Sequence, residues 1–343
     1  MLLEVEDLRT QYHTSRGTVK AVDRVSLSIR EREVFGLVGE SGCGKSTLVK
    51  TIMRLLPSNS FRSAEKLAYK GTDLLSTPDR EFRERILWKQ ISLVPQSAMN
   101  CLDPVYRVGD QIAEAIEAHS DNGASADRRE TLERVERLFD IVGLERRLLK
   151  SFPHEFSGGM RQRAMIAMAL ALSPGLIIMD EPTTGLDVLV QERILRRLAE
   201  IRNEIKASIL LITHDISVIA QMSDRVGVMY AGRLMECAEV LELFSRPFHP
   251  YTLGLKNAFP NIRAMEQNLI SIPGSPPNLI GEIPGCVFEP RCPFSIPECG
   301  QKRPEVREVE RGHFAACIRT DEVEMLRELA GDKNTWQSSK SIN

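Results

Sequence analysis

The chain has 343 residues, 42% hydrophobic and 27% charged, enough for a sizeable core in one large or two unequal domains. A net charge of −2 and a pI near 6.4 leave no electrostatic footprint for nucleic acid, which argues against a helicase or repair enzyme. The N-terminus carries acids by Glu4 and lacks the basic-then-apolar order of a secretory signal. The longest apolar runs, Leu176–Met179 and Ile209–Ile212, are strand-sized and far short of the about 20 residues that span a bilayer. A soluble protein is expected, with any membrane role passing through a partner.

Residues 2–8 and Val25–Ile29 alternate in polarity and predict strands. Glu33–Glu40 predicts a buried strand running into a glycine loop. Lys45–Leu56 has apolar residues at helical spacing and predicts a helix that stops at Pro57. Between strand and helix, Gly39, Gly44, Lys45 and Ser46 occupy the fixed positions of a phosphate loop. The chemistry explains the spacing. Glycines let successive N–H groups turn toward phosphate oxygens, and the helix N-terminus adds positive potential. Gly39, Ser41, Gly42, Cys43, Gly44, Lys45, Ser46 and Thr47 are the expected ATP contacts. Lys45 would reach the β- and γ-phosphates, and the Ser46 hydroxyl would ligate Mg²⁺. The bland alternative is a glycine-rich turn without a ligand.

The next buried strand ends at Gln96, a candidate ligand for water or Mg²⁺. From about Val108 to Leu172 the periodicity becomes helical. Leu176–Pro182 then sets two acids at the end of an apolar strand, where α/β sheets bind ligands. Asp180 is the expected Mg²⁺ partner, and Glu181 the general base that polarises the attacking water. A helix is expected around Val190–Ile205. The following strand ends at His214, placed to contact the γ-phosphate and sense its loss. In isolation an acid pair or a strand-end histidine is more often structural; the phosphate loop upstream changes that.

After about Ala238 proline becomes dense and periodicity fades until a short charged helix near Asp321–Leu329. The last dozen residues have the composition of a disordered tail. Cys286, Cys292, Cys299 and Cys317 cluster in this part without a C-x-x-C knuckle. A disulfide pair is disfavoured in a reducing compartment. A thiolate-bound [4Fe–4S] cluster, zinc, or free buried thiols remain open.

Phe156–Arg163, at a helix start, resembles the signature of ABC ATPases, with Phe156 for the usual leucine and Met160 for the usual glutamine. The resemblance implies that Ser157, Gly158 and Gly159 close over a γ-phosphate bound by a second subunit. Tyr12 looks like the aromatic that stacks on adenine. Thr184–Asp187 looks like the D-loop, placing Asp187 at a dimer interface. Leu243–Leu255, with the tetrad His249–Thr252, and Ile272–Cys299 resemble the C-terminal extension of dipeptide and oligopeptide importer ATPases. Some of those carry an iron–sulfur cluster on a similar cysteine pattern.

The resemblance implies an α/β fold. It would combine a RecA-like ABC ATPase core, an antiparallel β edge, a helical subdomain at about 98–172 and an irregular Cys/Pro-rich extension. The expected domains are 1–237 and 238–343. ATP and Mg²⁺ are the implied ligands. The implied partners are a second, different ATPase subunit, two membrane permeases and, indirectly, an extracytoplasmic binding protein, with no nucleic acid. The permeases would dock around Ser97–Val108 and hold the chain at the cytoplasmic face of the inner membrane. Relatives of this kind also import nickel, glutathione or oligosaccharides, and soluble ABC ATPases of repair or translation are the more distant alternative.

Overall fold

Leu176–Asp180 and Ser208–Thr213 are buried at every residue, as inner strands of a covered parallel sheet must be. The computed structural model describes residues 1–343 except 97–99, 120–127, 185–186, 205, 259–270 and 338–343. Packing divides the chain into two units, each discontinuous in sequence. The first comprises Met1–Leu2, Ile29–Val34 and Tyr69–Thr213; the second comprises Leu3–Ser28, Phe35–Ala68 and His214–Asn343.

In the first unit the two buried strands run parallel, with Asp180 opposite Ile212. Ile91–Val94 adds a third parallel strand, Ile91 opposite Leu176. The helices Val108–Glu117, Arg128–Ile141, Gly158–Leu170 and Val188–Glu204 make up the expected helical part and the one after it. Arg128–Ile141 buries Thr131, Val135, Leu138 and Phe139, one stripe at helical spacing, and leaves its many charges outside. Of the segment expected to meet a permease, 97–99 lie outside the described residues. Val105 and Tyr106 within it are exposed by 70% and 60%.

The second unit pairs Val34–Val38 in parallel with Arg225–Tyr230, Phe35 opposite Arg225. The chain reverses through Ala231 and Gly232, both at positive φ (48° and 80°), the two-residue turn that suits a hairpin's twist. Arg233–Glu239 then returns antiparallel. The expected antiparallel edge is present: Leu3–Thr14 neighbours Gly17–Ile29 and pairs with Ser60–Ser63, Tyr12 opposite Ser60.

Three expectations need correction. The first helix ends at Ile52, well before Pro57, because Arg54 takes a left-handed φ of 54° and Leu55 N–H bonds back to the Lys50 carbonyl at 2.8 Å. The C-terminal extension is less irregular than its prolines suggest. His313–Ala315 pairs with Arg233–Glu239, and Arg307–Glu310 pairs beyond it. Within the segment expected to be a disordered tail, Lys333–Gln337 forms a short helix. Trp336 is 1% exposed, donates from Nε1 to the Ala330 carbonyl at 3.0 Å and stands edge-on to Phe294. A single large aromatic supplies the burial that the polar residues around it cannot.

Candidate nucleotide-binding and hydrolysis site

The phosphate loop lies in the second unit. Its strand is buried throughout and delivers Gly39 against the backbone of Met229, where an added Cβ would stand 2.1 Å from the carbonyl oxygen. Gly44 caps the following helix at φ 106°, with the Ala21 carbonyl 2.2 Å from where a Cβ would be. Both positions therefore require glycine. Lys45 is only 5% exposed, and its ammonium donates to the Gly39 and Glu40 carbonyls at 2.7 and 3.0 Å. Cys43 lies beneath it, Sγ 3.6 Å from Nζ. Burial pushes the Cys43 thiol up, more than the ammonium pulls it down. A neutral, packed thiol at this free position has the character of filler. Tyr12 reaches the loop's helix, its hydroxyl donating to Thr47 Oγ1 at 3.3 Å. One turn on, the Thr10 and Thr51 hydroxyls meet at 2.8 Å, so the strand is pinned along the helix. Ser41 is exposed, Gly42 takes a φ of 77°, and Ser46 is partly buried.

The acid pair lies in the first unit. Asp180 closes its strand at 7% exposure. Glu181 breaks the strand at φ 50°, its N–H bonded to the Ile212 carbonyl at 2.8 Å. A non-glycine residue held left-handed is strain of the kind that clusters at functional sites. Its carboxylate accepts from Gln96 Nε2 at 3.0 Å and from the Thr184 hydroxyl at 2.9 Å, both on one oxygen, Oε2. Two residues 85 positions apart in sequence are thus brought together. Because Gln96 gives its amide N–H to Glu181, its carbonyl oxygen remains an acceptor. His214 belongs to the second unit and is exposed, just before Asp215 caps the helix Ile216–Met222.

Ser157 caps the helix Gly158–Leu170, its Oγ accepting the Met160 N–H at 3.3 Å and keeping its own proton to donate. Ser157 is exposed, whereas Gly159 is buried with a Cβ position 2.4 Å from Val190 Cγ1. Phe156 is 3% exposed, so the change from leucine falls in the core and not on the presented face. Asp187 Oδ1 accepts the Val190 N–H at 2.9 Å and starts the next helix. Gly185 and Leu186 of that loop lie outside the described residues.

Cys286, Cys292, Cys299 and Cys317 line one cavity of about 20 Å³ in the second unit, together with His249 and Phe288. Burial pushes the Cys286 and Cys292 thiols up and that of Cys317 to about 11. Among the described residues no three histidine, cysteine or acidic side chains converge tightly enough to hold a single metal ion.

Two participants carried no signal in the sequence. Thr184 is read in the sequence only as the first residue of the D-loop match, with no role of its own, yet its hydroxyl holds Glu181. Arg291 lies far from the loop in sequence, yet it is buried against Glu40.

A glycine loop between buried strand and helix, and an acid pair at the end of a parallel strand, define a phosphate-loop ATPase; the Ser-Gly-Gly helix start makes it an ABC cassette. The ABC transporter family matches residues 22–184, and the oligopeptide/dipeptide transporter C-terminal region matches residues 235–299. A probable peptide ABC transporter ATP-binding protein of Sinorhizobium fredii is 44% identical, over 94% of this chain and 96% of its own. The oligopeptide transport ATP-binding protein OppD of Escherichia coli is 42% identical, over 93% of each chain. The dipeptide transport ATP-binding protein DppD of Bacillus subtilis is 40% identical, over 96% and 98%. Among solved structures, a bacterial ABC transporter cassette in dimeric form superposes with a TM-score of 0.61 at 25% identity, covering 69% of this chain and 98% of that one. The chain belongs to the ATP-binding proteins of ABC transporters, in the oligopeptide/dipeptide branch. No helix among the described residues is long and apolar enough to cross a membrane.

Proposed function

We propose that this chain is the ATP-hydrolysing subunit of an importer for di- or oligopeptides. Glu181 is the base for the attacking water, and its carboxylate's hydrogen bonds from Gln96 and Thr184, which position it, are the observation that carries the reading. Lys45 neutralises the β- and γ-phosphates while Gly39 and residues 41–47 wrap them. Tyr12 stacks on adenine, and His214 senses the γ-phosphate. Ser46, Gln96 and Asp180 offer only oxygen donors, the set that suits Mg²⁺, whose charge offsets that of the phosphates. Ser157, Gly158 and Gly159 cover nucleotide on a second ATPase subunit, with Asp187 at that interface. Residues 1–237 act as the motor and 238–343 as the importer-type extension. The complex includes a different second ATPase and two permeases, fed by an extracytoplasmic binding protein, and the chain lies peripherally on the inner membrane's cytoplasmic face. The peptide cargo is supported by what the relatives are named for. Cells lacking the gene should lose uptake of labelled di- or oligopeptides and regain it with the wild-type gene but not with Lys45→Ala; undiminished uptake would overturn the cargo.

The four cysteines that line one cavity are read as the ligands of a thiolate-bound [4Fe–4S] cluster, with zinc or free buried thiols as the alternatives. Its role would be to staple the proline-rich loops. Anaerobically purified chain should absorb broadly near 400 nm with about four irons. One zinc in a colourless chain would favour zinc, and a metal-free chain with an ordered extension would sink both.

A further inference from the structure

Glu40 is the second residue of the phosphate loop, and each of its polar groups is engaged. Its carbonyl accepts from Lys45 Nζ at 3.0 Å and from the Cys43 N–H at 3.2 Å. Its own N–H donates to the Tyr251 hydroxyl at 3.1 Å. Its two carboxylate oxygens lie 3.0 and 2.9 Å from Arg291 Nη1. The last two partners come from the C-terminal extension, 211 and 251 positions along the chain.

Neither partner is free to move. Arg291 is 6% exposed and donates from Nε to the Pro273 carbonyl at 2.8 Å and from Nη2 to the Ile272 carbonyl at 3.2 Å. Its Nη1 also reaches the Tyr230 hydroxyl at 3.2 Å. Tyr251 is fully buried, its ring 4.7 Å from that of Tyr230 and 5.3 Å from that of Phe288. A planar guanidinium bonded at each of its three nitrogens, beside a locked phenol, makes a rigid anchor. A loop that must order itself around phosphate loses affinity to that ordering; a loop already held does not.

We propose that Tyr251 and Arg291 are positioning residues for ATP binding, holding the first turn of the phosphate loop in place through Glu40. The proposal rests on the reading of that loop as the ATP site. Arginine and tyrosine could instead merely fasten the extension to the rest of its unit. The two roles differ in what they move: fastening alone changes stability, whereas positioning raises KM for ATP and leaves kcat nearly intact.

The test uses the full chain, with Mg-ATP binding measured by titration and hydrolysis measured in the assembled transporter. Arg291→Gln should weaken ATP binding about tenfold or more, since the half-buried Glu40 carboxylate loses its partner. Saturating kcat should stay within about twofold. Glu40→Gln combined with Arg291→Gln should weaken binding by less than the product of the two single effects, because the residues act as a pair. Should Arg291→Gln fail to fold, Tyr251→Phe, which deletes one hydroxyl, should still raise Kd several-fold at an unchanged melting temperature. ATP affinity within twofold of wild type in folded Tyr251→Phe, or strictly multiplicative effects in the double variant, would overturn the proposal. Lys45→Ala separates the premises: if it binds ATP as well as wild type does, the site assignment fails and not the clamp.

Discussion

Glu181 combines a left-handed backbone with a carboxylate held by Gln96 and Thr184, so its position is set from two sides. Glu181→Gln keeps the shape and removes the basicity. It should retain ATP binding and lose hydrolysis by about 10²-fold or more. Steady-state phosphate release checks this, and a wild-type rate would refute the base. His249 makes a second prediction at this scale. It is wholly buried, and burial drives its pKa from the ordinary 6.5 down to about 3, against a smaller opposing pull from its bond to the Ala316 carbonyl. The fold thus favours the neutral ring. As pH falls below about 6.5 the unfolded chain takes up a proton that the folded chain refuses, so stability drops until about pH 3. His249→Asn retains an acceptor for the Tyr251 N–H, bonded at 3.0 Å in the wild type, and should flatten that decline. Melting temperatures from pH 7 to 5 would show equal slopes if His249 did not matter.

At the scale of elements, the helix Gly158–Leu170 presents its N-terminus with Ser157 exposed, while Phe156 and Gly159 are packed inward. The end that faces solvent is the end proposed to meet another subunit's nucleotide. Ser157→Arg should therefore leave ATP affinity of the isolated chain within about twofold and abolish most hydrolysis in the assembled complex. An equal loss of affinity in the isolated chain would remove the composite site. The short helix Lys333–Gln337 rests on Trp336 alone among its residues. Trp336→Ala should cost about 3–5 kcal/mol in thermal or urea unfolding of the unit that contains it. A cost near zero would return the chain end to the disordered tail its composition suggests.

For the molecule as a whole, the extension is bound into the unit that carries the phosphate loop. Glu236, fully buried on the strand Arg233–Glu239, accepts from the Phe248 and His249 N–H groups at 2.6 and 3.0 Å and lies 2.6 Å from His313 Nε2. A chain ended at residue 237 would keep that carboxylate and lose all three partners, leaving it unmatched at a new sheet edge. Such a truncation should be insoluble, or melt about 10 °C or more below the full chain. A stable, soluble 1–237 fragment would show the extension to be dispensable for folding.

The phosphate loop, the acid pair and the Ser-Gly-Gly turn were legible in the sequence because their chemistry dictates local residue types. A phosphate needs glycines and a lysine at fixed spacing, and buried parallel strands need unbroken apolar runs. Helix ends, the strands of the extension and the placement of Trp336 were not legible. A left-handed Arg54 or a three-residue strand leaves no period to read. Least legible were the hold of Gln96 and Thr184 on Glu181 and of Tyr251 and Arg291 on Glu40. The sequence by itself determined which groups are proposed to touch ATP. Only the tertiary structure decided which distant side chains fix those groups in place, because a contact between residues 85 to 251 positions apart is set by packing and not by any local pattern.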